Sequence, residues 1–153
     1  MSVTASGQKT AYAYDDAGNQ TGVTDANNHT TQSAYDARRR LTTTTYDDKT
    51  ATQYQYDGPG NLALVTDQAG NQVQYTYDLN NQLRSVVQKN HPDPAHNTTA
   101  YGYDSNGNLT TLTDANAHTT RNGFDPLNQL SQETMPAGRR RRGCTTRRGT
   151  WYR

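Results

Sequence analysis

The chain has 153 residues, a length that suggests one domain, with 30% hydrophobic residues, eleven tyrosines and a formal net charge of +1. Mean hydropathy is −1.13, and no stretch approaches the roughly 18 apolar residues of a membrane span. A single cysteine, Cys144, excludes an internal disulfide.

The first segment, MSVTASGQKTAYAYD, lacks the apolar centre of a signal peptide and runs straight into Tyr14-Asp15, so the chain reads as an excerpt of a larger array. The aromatic–Asp pair returns at Tyr35-Asp36, Tyr56-Asp57, Tyr77-Asp78, Tyr103-Asp104 and Phe124-Asp125, at spacings of 21, 21, 21, 26 and 21. The 26 is a 21 with five residues inserted, and the two prolines of NHPDPAHN place the insertion near 90–97. A further pair, Tyr46-Asp47, is off register and counts as coincidence. Low hydropathy alone would suggest disorder. The period argues the other way, because regularly placed Tyr and Leu stack into a continuous stripe from unit to unit.

Each unit opens on a strand. Two residues before the aromatic stand Tyr12, Ser33, Tyr54, Tyr75, Tyr101 and Asn122, and a spacing of two puts both side chains on one face. A turn led by Asp follows, its carboxylate capping nearby backbone N–H groups. Four residues after the aromatic come Gly18, Arg39, Gly60, Asn81, Gly107 and Asn128, where the turn needs a positive φ. Asn tolerates that conformation and Arg does not, so the second unit should have the worst turn. A second strand then runs through stretches such as NLALVTD (61–67) and NLTTLTD (108–114), and ends in another turn led by Asp25, Asp67 or Asp114. Leu at six and Val or Leu at nine after the aromatic are an odd number apart. Either a bulge intervenes or both faces carry apolar residues. No helical periodicity is present. The expectation is an all-β chain of repetitive antiparallel hairpins, about 21 residues each, forming a curled sheet with open edges over residues 1–138.

The Tyr-Asp-x-x-Gly-Asn-Leu…Thr-Asp unit resembles the YD repeat of the rearrangement hotspot (Rhs) family, over roughly residues 10–138. That family includes bacterial polymorphic toxins, insecticidal toxin-complex components and teneurins. The resemblance implies a partial YD-repeat shell, secreted or at a cell surface, whose partners are other repeats or an encapsulated toxin domain. No toxin domain is expected in this chain. Asp125-Pro126-Leu127 is similar to the Asp-Pro pieces around the family's autoproteolytic site, but Asp125 is the ordinary repeat aspartate and a second aspartate region has no counterpart.

The chemistry-bearing residues are expected to serve the fold, and the chain is expected to be neither an enzyme nor a cofactor protein. Asp104-Ser105-Asn106-Gly107-Asn108 is the best candidate calcium loop, yet it lacks the Gly and Glu places of an EF-hand, so turn capping is the better account. His29 and His118 share one repeat position, and His91 and His96 lie in the insertion; none has the closely spaced partners of a zinc site. Tyr54, Tyr56, Tyr75 and Tyr77 are the candidate ligand-binding residues of an alternative function, a carbohydrate-binding module that stacks sugars on its tyrosine face.

Residues 139–153 break the pattern. They hold seven Arg and no acid, whereas residues 1–138 hold 8 Lys+Arg and 14 Asp+Glu, so +7 and −6 sum to +1. A basic run of this kind ordinarily suggests a polyanion. Here a frameshifted seventh repeat is the better account, because codons read one base early can spell Tyr-Asp-x-Ala-Gly-Asn-Leu in register. On that account the tail is disordered and nucleic acid is not a partner.

Overall fold

The computed structural model describes residues 9–136. Twelve strands follow one another without a crossover: β1 (Ala11–Tyr14), β2 (Gln20–Thr24), β3 (Thr30–Tyr35), β4 (Leu41–Thr45), β5 (Ala51–Tyr56), β6 (Leu62–Thr66), β7 (Gln72–Tyr77), β8 (Leu83–Gln88), β9 (Thr98–Tyr103), β10 (Leu109–Thr113), β11 (Thr119–Phe124) and β12 (Leu130–Thr134). Each pairs antiparallel with the next, giving one 12-stranded sheet in sequence order. Among the described residues it is open, since β1 and β12 each pair on one side only. The expected all-β hairpin repeat is what the structure shows.

The odd spacing of Leu and Val is resolved by a bulge. In the β5–β6 hairpin Tyr56 faces Leu62 while Gln55 faces Leu64, so Ala63 is an extra residue; Tyr54 then faces Val65. The bulge restores phase, and Tyr54, Tyr56, Leu62 and Val65 share one face because cross-strand partners do. All six hairpins led by the repeat aromatic, five by Tyr and the last by Phe124, have this irregularity. The hairpins between units pair in unbroken register, as at Leu64–Gln74, Val65–Val73 and Thr66–Gln72. One face of the sheet is therefore Tyr, Leu and Val. The other is mostly Thr, Gln, Ala and Gly, as in Gln53–Thr66 and Gln55–Leu64, with Leu64 and Val87 as larger apolar exceptions.

No described residue is fully buried. The sheet is a single layer whose apolar stripe is half covered by its neighbours in the plane. Cover is least at the ends, where Tyr12, Tyr14 and Leu130 are 58%, 61% and 54% exposed. Between β8 and β9 the connection 89–97 holds a one-turn 3-10 helix, Pro94–His96, capped by the Asp93 carboxylate on the Ala95 N–H. Circular dichroism of the purified chain should show strand with no appreciable α-helix; a helical spectrum would contradict the sheet.

Candidate functional site

The recurring chemistry of the chain lies in its turns. In the first, the Gly18 N–H donates to the Asp15 carbonyl and the Asp15 N–H donates to the Asn19 carbonyl, both at 3.0 Å. This is a type I turn closed by a residue of positive φ. The Asp15 carboxylate completes it. Oδ1 accepts from the Asn19 N–H and Oδ2 from the Asn19 side-chain amide, both at 2.8 Å. Asp57 with Asn61, Asp67 with Asn71 and Asp104 with Asn108 repeat the grip. Asp125 accepts from the Leu127 and Gln129 N–H groups, both at 2.9 Å, so the Asp-Pro aspartate is a turn cap.

Among the described residues both turns of a unit are of this one kind, save the 89–97 connection between β8 and β9. The ten residues of positive φ among the described residues all stand at the same place: Gly18, Asn28, Arg39, Lys49, Gly60, Gly70, Asn81, Gly107, Ala117 and Asn128. Arg39, at φ 61°, is the strained residue expected, but Lys49 at 70° and Ala117 at 63° are strained alike. Tyr46 leads its turn from the place of the aspartate, with the Lys49 N–H donating to its carbonyl at 3.0 Å. Asp47 instead accepts from the Thr30 N–H across the rim, and Asp48 accepts from Thr50.

His29 and His118 take the place of the gripping asparagine. His29 Nδ1 lies 3.3 Å from Asp25 Oδ2, and His118 Nδ1 lies 3.3 Å from Asp114 Oδ2, each with its backbone N–H on the same carboxylate. In the 89–97 connection His96 meets the Asp93 carboxylate and His91 Nδ1 lies 2.8 Å from the Asp93 carbonyl. Among the described residues no group of three or more His, Cys, Asp and Glu converges on one point.

Tyr56 and Tyr77 brace the bulges. The Tyr56 hydroxyl donates to the Leu41 carbonyl at 2.8 Å and the Tyr77 hydroxyl to the Leu62 carbonyl at 3.0 Å; Tyr35 does the same to Gln20 at 2.9 Å. Each acceptor immediately precedes the extra residue of a bulge, where the ladder is disrupted and a carbonyl needs another donor. Phe124 has no hydroxyl, and there the Asn122 amide donates to the matching carbonyl of Leu109 at 3.0 Å. Tyr54 and Tyr75 sit on the same face, opposite Val65 and Val86. The four candidate tyrosines thus share one half-covered surface across β5 and β7, with two of their hydroxyls engaged by the backbone.

Neighbouring turns are stitched along the rim. The Asn61 amide donates to Asn81 Oδ1 and the Asn108 amide to Asn128 Oδ1, each at 2.9 Å. Arg40 does more. It ion-pairs with Asp36 at 2.7 Å and lies 4.4 Å from the centre of the Tyr56 ring, joining the Asp36 turn of the second unit to the third unit. Sequence reasoning missed it, although an Arg four residues after the turn aspartate was the available signal.

Several capping carboxylates are held low by the groups they cap. Side-chain amides and backbone N–H groups of Asn19, Asn71 and Asn108 hold Asp15, Asp67 and Asp104 below the ordinary 3.8. The backbone N–H and side chain of Arg40 do the same for Asp36. Burial pushes the Tyr77 and Tyr103 phenols above 10.0. A lowered carboxyl contributes stability that is present above 3.8 and lost as pH falls through the folded value. A raised phenol contributes stability that is present below 10.0 and lost as pH rises through the folded value. The melting temperature should therefore fall as pH drops through the folded carboxylate range and again as pH rises through the folded phenol range, the acid fall being the larger because more groups contribute. A melting temperature that rises on acidification below the carboxylate range would contradict the capping.

Comparison with known proteins follows the same pattern. The RHS Repeat family matches residues 2–30, 14–51, 93–120 and 103–140. No curated protein matches the chain by sequence. Among solved structures, TcdB2-TccC3 without its hypervariable C-terminal region is similar at a TM-score of 0.68 and 19% identity, over 80% of this chain and 7% of that one. TcdB2-TccC3-Cdc42 is similar at 0.64 and 22%, over 80% and 8%. The Photorhabdus luminescens Tc holotoxin pore is similar at 0.55 and 19%, over 90% and 10%. The chain thus spans a tenth or less of the length of these chains.

Proposed function

The chain belongs to the RHS repeat family, and from that membership we propose that its sheet is one stretch of the wall of a larger repeat shell enclosing a toxin domain. The supporting observation is the use of its polar groups. The turn aspartates cap their own turns, the rim amides join one turn to the next, and three tyrosine hydroxyls close bulges. Such an arrangement holds a wall together, and its role is structural, not catalytic. The single layer fits the same role, since a half-covered Tyr and Leu face and an open order of the described strands suit a sheet continued by further strands. The partners on this reading are further repeats at β1 and β12 and the enclosed domain on one face. The whole protein is then secreted or displayed at a cell surface.

The test is limited proteolysis of the parent polypeptide that carries this stretch. The enclosed domain should resist protease while the sheet is intact and be cut once Gly60→Arg opens a turn. A domain cut equally fast in both proteins would overturn enclosure. Loss of glycan-array binding in a Tyr54, Tyr56, Tyr75 and Tyr77 to alanine variant would instead make the face a carbohydrate-binding surface.

A further inference from the structure

The left-handed turn positions form a ruler along the chain. They stand at 18, 28, 39, 49, 60, 70 and 81, then at 107, 117 and 128 beyond the 89–97 connection. Within each run the steps alternate between 10 and 11. The step after 128 is a 10 and lands on 138, which is Gly138. In the sequence Pro136 falls ten residues after Pro126, which holds the second place of the turn before, where its fixed φ suits a type I turn. The family match also runs to residue 140. The repeat is thus in register through Gly138.

Beyond that point the ruler calls for a strand over 140–145. Its first two places are Thr-Thr in β3, β9 and β11, and its last is the aromatic, due at 145. The sequence instead gives Arg140, Arg141, Arg142 and, at the aromatic place, Thr145. One base accounts for the change. Threonine codons ACG-ACG, read one base late, become CGA, an arginine codon. Read one base early, the pair Cys144/Thr145 can give Tyr, Thr145/Thr146 Asp, Arg148/Gly149 Gly, Gly149/Thr150 Asn and Thr150/Trp151 Leu. Each falls where the ruler sets it: the aromatic at 145, the left-handed Gly at 149 (138 plus 11), and the Leu at 151, matching Leu130 one 21-residue unit earlier.

We propose that residues 139–153 are the product of a one-base deletion near codon 139, and that the outer edge of β12, last in the described sheet order, is the acceptor for the strand the shifted frame encodes. The seven arginines then bind nothing by design, and the exposed Leu130 marks a surface that the next strand covers. The inference rests on the chain being part of a longer repeat array, but its test is separate. A negative result here overturns the frameshift and leaves the protease test of the shell untouched.

The nucleotide sequence from codon 138 onward is the first experiment. The frame one base early should encode a Thr- or Ala-rich strand, then Tyr-Asp-x-x-Gly-Asn-Leu, then a second Tyr-Asp pair about 21 residues on. A stop codon before that second pair, or no second pair, overturns the frameshift. The second experiment compares the chain as it stands with one whose frame is corrected through the seventh repeat. The corrected chain should melt at least about 2 °C higher and lose the salt-sensitive heparin retention that seven arginines confer. An unchanged or lower melting temperature overturns the acceptor role of β12.

Discussion

Arg39→Gly should raise the melting temperature, and Gly60→Arg should lower it by more. Arg39 sits at φ 61° and gains no local side-chain hydrogen bond from doing so. An L-residue there costs about 1–2 kcal/mol, because Cβ crowds the following carbonyl. Glycine removes that cost but adds unfolded-state freedom of about 0.5–1 kcal/mol, so a net gain on the order of 0.5–1 kcal/mol is expected. The reverse change is worse. Gly60 lies at φ 113°, outside the left-handed well that Arg39 occupies, and a side chain there costs roughly 1–3 kcal/mol. Space is not the problem, since a Cβ on Gly60 would meet only Arg40 Nη1, at 3.6 Å. Gly60→Ala separates backbone strain from charge and should account for most of the loss. Lys49→Gly and Ala117→Gly belong to the same class and should each stabilise by a similar amount. Thermal melts of the five variants decide the matter; neutral values for Arg39→Gly and Gly60→Arg together would refute the shared turn.

What could be read from the sequence follows the range of each interaction. The aspartate caps close within four residues of their own carboxylate, so a single unit carries the whole signal, and Asp15, Asp57 and Asp104 were legible. The left-handed places of the second turn were less so. Tyr46 replaces the aspartate that marks the turn, which hid Lys49, and Ala117 gives no warning of its conformation. The bulge was detectable only as a conflict, since Leu62 and Val65 cannot share a face of a regular strand. Choosing between a bulge and two apolar faces needed the partner strand, where Gln55 pairs with Leu64 and Tyr56 with Leu62. The tyrosine brace spans 15 residues and two strands, and its acceptor exists because the bulge does. No local pattern announces it.

Tyr77→Phe should destabilise the sheet by about 1 kcal/mol, the usual cost when a partly buried acceptor loses its donor. The substitution keeps the ring, its place opposite Leu83 and its apolar cover, and removes only the hydroxyl that meets the Leu62 carbonyl at 3.0 Å. Tyr56→Phe removes the brace one unit earlier, on Leu41, and the pair acts on separate acceptors. The double variant should therefore lose about 2 kcal/mol, close to the sum of the singles. The sixth unit supplies the converse. Phe124 lacks the hydroxyl and the Asn122 amide serves Leu109 in its stead. Asn122→Ala should cost about as much as Tyr77→Phe, and Phe124→Tyr in that background should restore most of the loss. Phe124→Tyr alone should gain little, because Leu109 already has its donor. Denaturant melts of the four proteins form a double-mutant cycle at this carbonyl. A coupling close to zero would mean that water serves the bulge carbonyls as well as tyrosine does, and that the conserved phase of the repeat owes nothing to the hydroxyl.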